Sequence, residues 1–265
     1  MTKERNPLPE SKSAPMIEGG IDAIVIGAGA DGLAASAYLG KAGLNTVLVG
    51  AGPEIGGRIA AREIAPGVNG VDGEHLVTVL DPDVIADLDL YRHGIEFAAR
   101  RLDTTYFFEN GKVLRFDGDL TQAALLTLDD DSDREALEAF MGDVLETAAF
   151  LRPAFHGGGY SGPGSNYQRV LEKAVAQAPP EMAARIQRYL YATADDVLRS
   201  RFDDGQLRTL LLAETSFRSA AAPHEPFSFM SLLRRYAGEA AGLQGAAAYP
   251  KGGAVSVIDA LRRAA

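Results

Sequence analysis

The chain has 265 residues, 46% of them hydrophobic and 23% charged, and a formal net charge of −10. So acidic a chain lacks the basic footprint that neutralises phosphates along a duplex, which excludes nucleic acid as an expected partner. It contains no cysteine, so disulfides, thiolate catalysis and thiolate metal sites are excluded as well.

Residues 1–20 are polar and rich in proline, and read as a flexible tail without a signal-peptide core. No apolar run reaches the roughly 18 residues that a membrane span needs. Nothing points outside the cell, so the expected location is cytoplasmic. Ile21–Ile26 is a nearly continuous apolar run, expected as a strand buried on both faces of a parallel sheet. It runs straight into G-x-G-x-x-G, formed by Gly27, Gly29 and Gly32. Leu33–Ala42 follows as a helix of small and apolar residues, with Gly43 placed as its C-terminal cap. Thr46–Val49 is the next strand, which completes a βαβ beginning.

The glycines have separate reasons. The first permits a tight turn, the second lets backbone approach a pyrophosphate, and the third lets helix and strand pack closely. The helix N-terminus then offers free N–H groups and a positive dipole end to the phosphates. Asp31, inside the loop, adds a negative charge nearby. The fingerprint also needs an acidic residue about 20 residues on, ending the second strand, to hold a ribose hydroxyl. Gly50 stands there instead. Losing such a contact costs about 10–100-fold in affinity. Glu54 is a candidate substitute with a long reach, and Ala51-Gly52-Pro53 lacks the arginine an NADP-type site would want. In Glu54-Ile-Gly-Gly-Arg58, the glycines Gly56 and Gly57 can bring a second backbone segment to the same phosphates. Arg58 adds a forked cation. Taken alone, that stretch is a plain glycine turn with a surface arginine.

Further on, Asp81-Pro82 reads as an N-cap with proline at the first helical position, opening a helix to about Tyr91 that Gly94 closes. Thr104–Glu109 and Lys112–Phe116 flank Asn110-Gly111, a strong hairpin signal. Ser132-Asp-Arg-Glu135 has capping-box spacing ahead of a helix to about Phe150. Residues 156–165 hold five glycines and a proline and mark a loop or boundary. Residues 166–243 read mostly helical, notably Arg185–Leu190, Ala194–Ser200 and Gln206–Thr215, with a break at Ala220–Pro223. Tyr249–Ala265 holds a Gly252-Gly253 turn and an apolar-striped helix.

The histidines 75, 93, 156 and 224 show no metal-site spacing. His75 and its neighbour Glu74 are minor candidates for a catalytic role; His93 suits a helix C-terminus. The run Asp129–Asp133 is a solvated turn rather than a calcium loop. Tyr189 and Tyr191 are expected to pack.

The stretch DAIVIGAGADGLAASAYLGKAGLNTVLV followed by GPEIGGR resembles the FAD-binding start of flavoproteins of the phytoene desaturase and amine oxidase type. The continuation REIAPGVNGVDGEHLVTVLDPDVIADLDLYRHGIEF is similar to phytoene dehydrogenase-related oxidoreductases, the group that includes relatives of pyridine nucleotide-disulfide oxidoreductase domain-containing protein 2. The closing YPKGGAVSVIDALRRAA resembles a mid-chain segment of that family. The resemblance implies FAD and redox chemistry on apolar, isoprenoid-like substrates. It implies pyrophosphate contacts from Gly27, Gly29, Gly32, Gly56, Gly57 and Arg58, and a place near flavin or substrate for Gly252 and Gly253. Family members carry a glutamate where Gly50 stands and are about twice as long. A second polypeptide is the expected source of the other half, the alternative being a truncated or divergent product.

The expected fold is α/β: a Rossmann-like FAD/NAD(P)-binding domain with a parallel sheet, an antiparallel hairpin excursion and a mostly helical second region. The expected organisation is a tail at 1–20, a nucleotide-binding region at 21–155 and a helical substrate, cap or partner-binding region at 166–265. The expected function is the N-terminal half of a split FAD-dependent oxidoreductase catalysing desaturation or a related hydride transfer. The alternatives are a non-catalytic Rossmann-fold scaffold that has lost FAD and a small NAD(P)-dependent protein. No catalytic residue is assigned and no metal is expected.

Overall fold

A computed structural model describes residues 20–52, 54–71, 75–116, 131–156, 166–203, 205–216 and 221–265. The readings that fall on residues 1–19, Pro53, Glu74, Asp129, Asp130, 157–165 and Ala220 lie outside the described residues.

The front is the βαβ unit its sequence calls for. β1 (Ala23–Ile26) leads through the glycine turn into α1 (Ala30–Lys41) and then β2 (Thr46–Val49). The two strands pair in parallel, Ile24 opposite Val47, Val25 opposite Leu48 and Ile26 opposite Val49. α1 ends in a Schellman arrangement: Gly43 takes φ +83°, its N–H donates to Gly40 and that of Leu44 to Leu39.

Burial on both faces of β1 is not what the structure shows. Leu48 turns towards α1 and joins the apolar cluster there. Cross-strand partners share a face, so Ile24, Ile26 and Val49 lie on the other one. They are 62%, 86% and 44% exposed. Among the described residues β1 pairs with β2 alone, so the sheet does not extend past β1 there.

A hairpin, β3 (Ala61–Ala65) and β4 (Val68–Val71), follows the second glycine turn. α2 (Pro82–Asp87) is capped by Asp81, whose carboxylate accepts from the Asp83 N–H at 2.9 Å. It stops at Asp87 rather than near Tyr91. Asp89 adopts φ +50°, and the Leu90 N–H closes back on Ile85. Aspartate tolerates the left-handed region well enough to end a helix without glycine. β5 (Phe97–Ala99) comes next, then the hairpin β6 (Thr104–Phe107) and β7 (Val113–Phe116) with Gly111 at φ +83°.

The helical region holds α3 (Asp131–His156), α4 (Asn166–Gln177), α5 (Pro180–Tyr191), α6 (Ala194–Arg199), α7 (Gly205–Ser216) and α8 (Phe229–Ala237). α3 runs past Phe150 and tolerates Pro153 near its end. Its core is aromatic at the centre. The Phe229 ring lies 4.6 Å from Tyr189 and 6.1 Å from Phe140, and Phe140 meets Phe202 edge-on at 5.2 Å. Tyr189 is buried, while Tyr191 is exposed against Phe227. The helical reading does not hold to residue 243. β8 (Glu239–Ala240) and β9 (Leu243–Gln244) form a small hairpin, reversed at Ala241 and Gly242, both at positive φ.

The chain then returns to its start. β10 (Tyr249–Pro250) pairs antiparallel with β5, and Ala248 bridges to Val77. α9 (Val255–Ala264) lays Val257, Ile258 and Leu261 against Leu33 and Ala37 of α1 and Ile85, Leu88 and Leu90 of the α2 region. The packing thus crosses the boundary read at 156–165. α3, in the front region by sequence, belongs to the helical core, and α9, in the rear region, belongs to the front core. Among the described residues no helix is long and apolar enough to cross a membrane.

Candidate nucleotide-binding site

Two glycine turns meet at the N-terminal end of α1. In the first, Gly27 takes φ +119° and its N–H donates to the Val49 carbonyl at 2.7 Å, which ties the turn to the end of β2. Gly29 is the N-cap of α1 and offers no side chain to its first-turn N–H groups. A Cβ on Gly29 would meet nothing within 4 Å, so open space lies off that backbone. Gly32 is the reverse case. A Cβ there would stand 1.7 Å from the Gly27 carbonyl oxygen and 3.4 Å from Leu48.

The second turn crosses the first. The Gly56 N–H donates to the Ala28 carbonyl at 2.7 Å, and a Cβ on Gly57 would lie 3.4 Å from Gly29 Cα. Both Gly56 and Gly57 have positive φ, +122° and +58°. Arg58 follows within a short 3₁₀ turn, Gly57–Ile59, and is exposed, as is Glu54. The structure therefore brings together Gly27, Gly29, Gly32, Gly56 and Gly57, with Arg58 and Glu54 on the adjoining stretch. Backbone N–H groups and an uncapped helix end form a cradle suited to a pyrophosphate, with Arg58 on the adjoining turn. Asp31, exposed on the first turn of α1, is the opposing charge.

Two residues that sequence reasoning missed shape this site. Ile258 of α9 packs under the second turn, 3.3 Å from where a Gly56 Cβ would be. Ala28 supplies the carbonyl that anchors Gly56, and its methyl lies 2.9 Å from where a Gly50 Cβ would be. No local pattern signals either role; both arise from chain segments meeting in space. Gly252 and Gly253, at φ +83° and +81°, form the turn before α9. His75 and His224 are exposed and His93 sits in the turn after α2. Among the described residues no cluster of metal-binding side chains occurs.

Comparison with known proteins agrees with this geometry. Residues 25–83 match the NAD(P)-binding Rossmann-like domain family. The chain is similar to pyridine nucleotide-disulfide oxidoreductase domain-containing protein 2 of Mus musculus, 29% identical over 273 residues, which cover 92% of this chain and 45% of that protein. Among solved structures it resembles putrescine oxidase bound to putrescine, at TM-score 0.58 and 20% identity, covering 92% of this chain and 49% of the other. It also resembles Rab GDI from Plasmodium falciparum, at TM-score 0.51 and 12% identity, covering 92% and 55%. The structural likenesses establish the fold: a Rossmann-like NAD(P)/FAD-binding domain with mixed helix and strand content. The family match covers the glycine turns and the elements that follow them, to the start of α2. The chain spans about half the length of the curated relatives it matches.

Proposed function

We propose that this chain is the nucleotide-holding part of an FAD-dependent oxidoreductase that a second polypeptide completes. Gly27, Gly29 and Gly32 with Gly56 and Gly57 hold the pyrophosphate by backbone, and Arg58 and the first turn of α1 offset its charge. FAD, when bound, supplies the hydride-accepting ring; the chain's own residues hold and orient the cofactor. The observation that carries this reading is the crossing of the two glycine turns, fixed by the Gly56 N–H on Ala28 and the contact of Gly57 with Gly29. A plain surface turn has no need of such an approach.

The second polypeptide is proposed on the sheet face that, among the described residues, leaves Ile24 and Ile26 exposed at 62% and 86%. Exposed apolar faces of this kind mark protein contacts. The substrate class is an apolar, isoprenoid-like molecule undergoing desaturation or a related hydride transfer, which follows from the resemblance of the front motifs and their continuation.

FAD titrated into the purified chain, alone and with whatever polypeptide co-purifies from its host, tests the cofactor. Saturable binding of one flavin per chain supports the reading, and no binding in either preparation removes it. Anaerobic bleaching of the bound flavin by an isoprenoid polyene, but not by a simple amine, tests the substrate class.

A further inference from the structure

The end of β2 carries no side chain where a ribose-binding acid belongs, and the fold has closed the space. A Cβ on Gly50 would stand 2.9 Å from the Ala28 methyl, nearer than such atoms come in real structures, and 3.6 Å from the Gly52 carbonyl. Ala28 is poorly placed to retreat. Its carbonyl accepts from Gly56, and the neighbouring Gly27 N–H is held by Val49, each at 2.7 Å. The nearest carboxylate further along the chain is Glu54, exposed and four positions on, next to the second glycine turn. Pyrophosphate and ribose recognition are thus separable here: the backbone cradle is complete, and the side chain that reads the ribose is excluded.

Resting on the dinucleotide reading above, we infer that Ala28 and Gly50 together make a site that grips its nucleotide by the pyrophosphate and leaves the adenosine ribose diol unclaimed. A carboxylate at the strand end accepts hydrogen bonds from the diol and repels a phosphate on it. A methyl against a glycine does neither. The site is therefore indifferent to the 2′ substituent, and its ligand class is set by the diphosphate.

Calorimetric titration of the full chain with ADP and with 2′-deoxy-ADP tests this directly. The expected result is dissociation constants within about twofold of one another, because no charge-assisted bond to the 2′-hydroxyl exists to lose. A loss of about tenfold or more for the deoxy compound overturns the inference, since a tenfold change in affinity signals a specific polar contact. Reversal of that loss by Glu54→Gln would name Glu54 as the holder. If neither nucleotide binds the chain, alone or with the polypeptide that co-purifies with it, the dinucleotide reading falls and takes this inference with it, an outcome distinct from unequal binding. A paired set isolates the steric element. Gly50→Glu alone leaves the two ligands equal, whereas Ala28→Gly with Gly50→Glu makes the site prefer ADP by about tenfold. Preference gained by Gly50→Glu alone contradicts the role given to Ala28. The unsubstituted protein answers the first question even where a variant does not fold.

Discussion

Gly32 lies directly against the carbonyl of Gly27: a Cβ on Gly32 would sit 1.7 Å from that oxygen. This contact sets how deeply α1 seats behind β1, and so where the helix N-terminus points. Gly32→Ala must push the helix off the turn. The expected cost is about 3 kcal/mol of folding stability, at the upper end for overpacking. Nucleotide affinity falls with it. Urea unfolding and FAD titration measure the two; an unchanged midpoint would show that the turn is looser than described.

The helical core contains a buried ion pair. Arg235 of α8 meets Glu214 of α7, and the Tyr106 hydroxyl donates to the same carboxylate. Glu214→Ala leaves a buried guanidinium and costs about 3–5 kcal/mol, while Glu214→Leu with Arg235→Met costs less than that single change. Urea melts of the two variants, compared with the parent, decide whether the pair behaves as a buried unit.

Phe229 is the aromatic hinge of the same core, in contact range of both Tyr189 and Phe140 and fully buried. Phe229→Ala is expected to cost about 3–5 kcal/mol through lost burial and the cavity left behind. A cost below about 1 kcal/mol would mean that the site collapses or that the helices pack otherwise.

Alkaline pH should unfold this protein through its tyrosines. The Tyr38 phenol is pushed up to about 12, first by burial and then by its hydrogen bond to Asp87. Burial likewise raises Tyr106, against the pull of Arg235, and also raises Tyr189 and Tyr236. Each of these phenols holds its proton more tightly folded than unfolded. Their contribution is present in full below the ordinary tyrosine value of about 10 and is lost as pH rises towards about 12 for Tyr38. The chain has nine tyrosines and no tryptophan, so ultraviolet difference absorbance reads phenol ionisation cleanly. A late-titrating group that merges with the others on unfolding in urea is expected; a single ordinary transition in the folded protein would contradict it.

Ile26 tests the proposed partner. It is 86% exposed, so Ile26→Lys should leave the stability of the chain within about 0.5 kcal/mol, as for surface changes in general. The same variant should lose the co-purifying polypeptide. Retention of the partner would move the interface elsewhere.

The parts legible in the sequence are those set by local chemistry. The Asp81 cap, the Asn110-Gly111 hairpin, the Gly43 stop and the glycine fingerprint each carry their own geometric requirement within a few residues. What was not legible depends on chain segments far apart. The apolar run Ile21–Ile26 reads the same whether one face or both are covered, and only the register Ile24–Val47 and Ile26–Val49 shows which residues stay bare. The apolar stripe of α9 announces a buried face but not that α1 and Gly56 lie beneath it. Gly50 could be read as a missing acid; that Ala28 fills the space could not. Asp89 ends α2 in a conformation that its sequence permits without demanding.

Native mass spectrometry of the protein purified from its own host tests the central claim most directly. The account predicts a complex of this chain with a second polypeptide and one FAD mass. The chain alone, or paired only with itself, and free of flavin would contradict it.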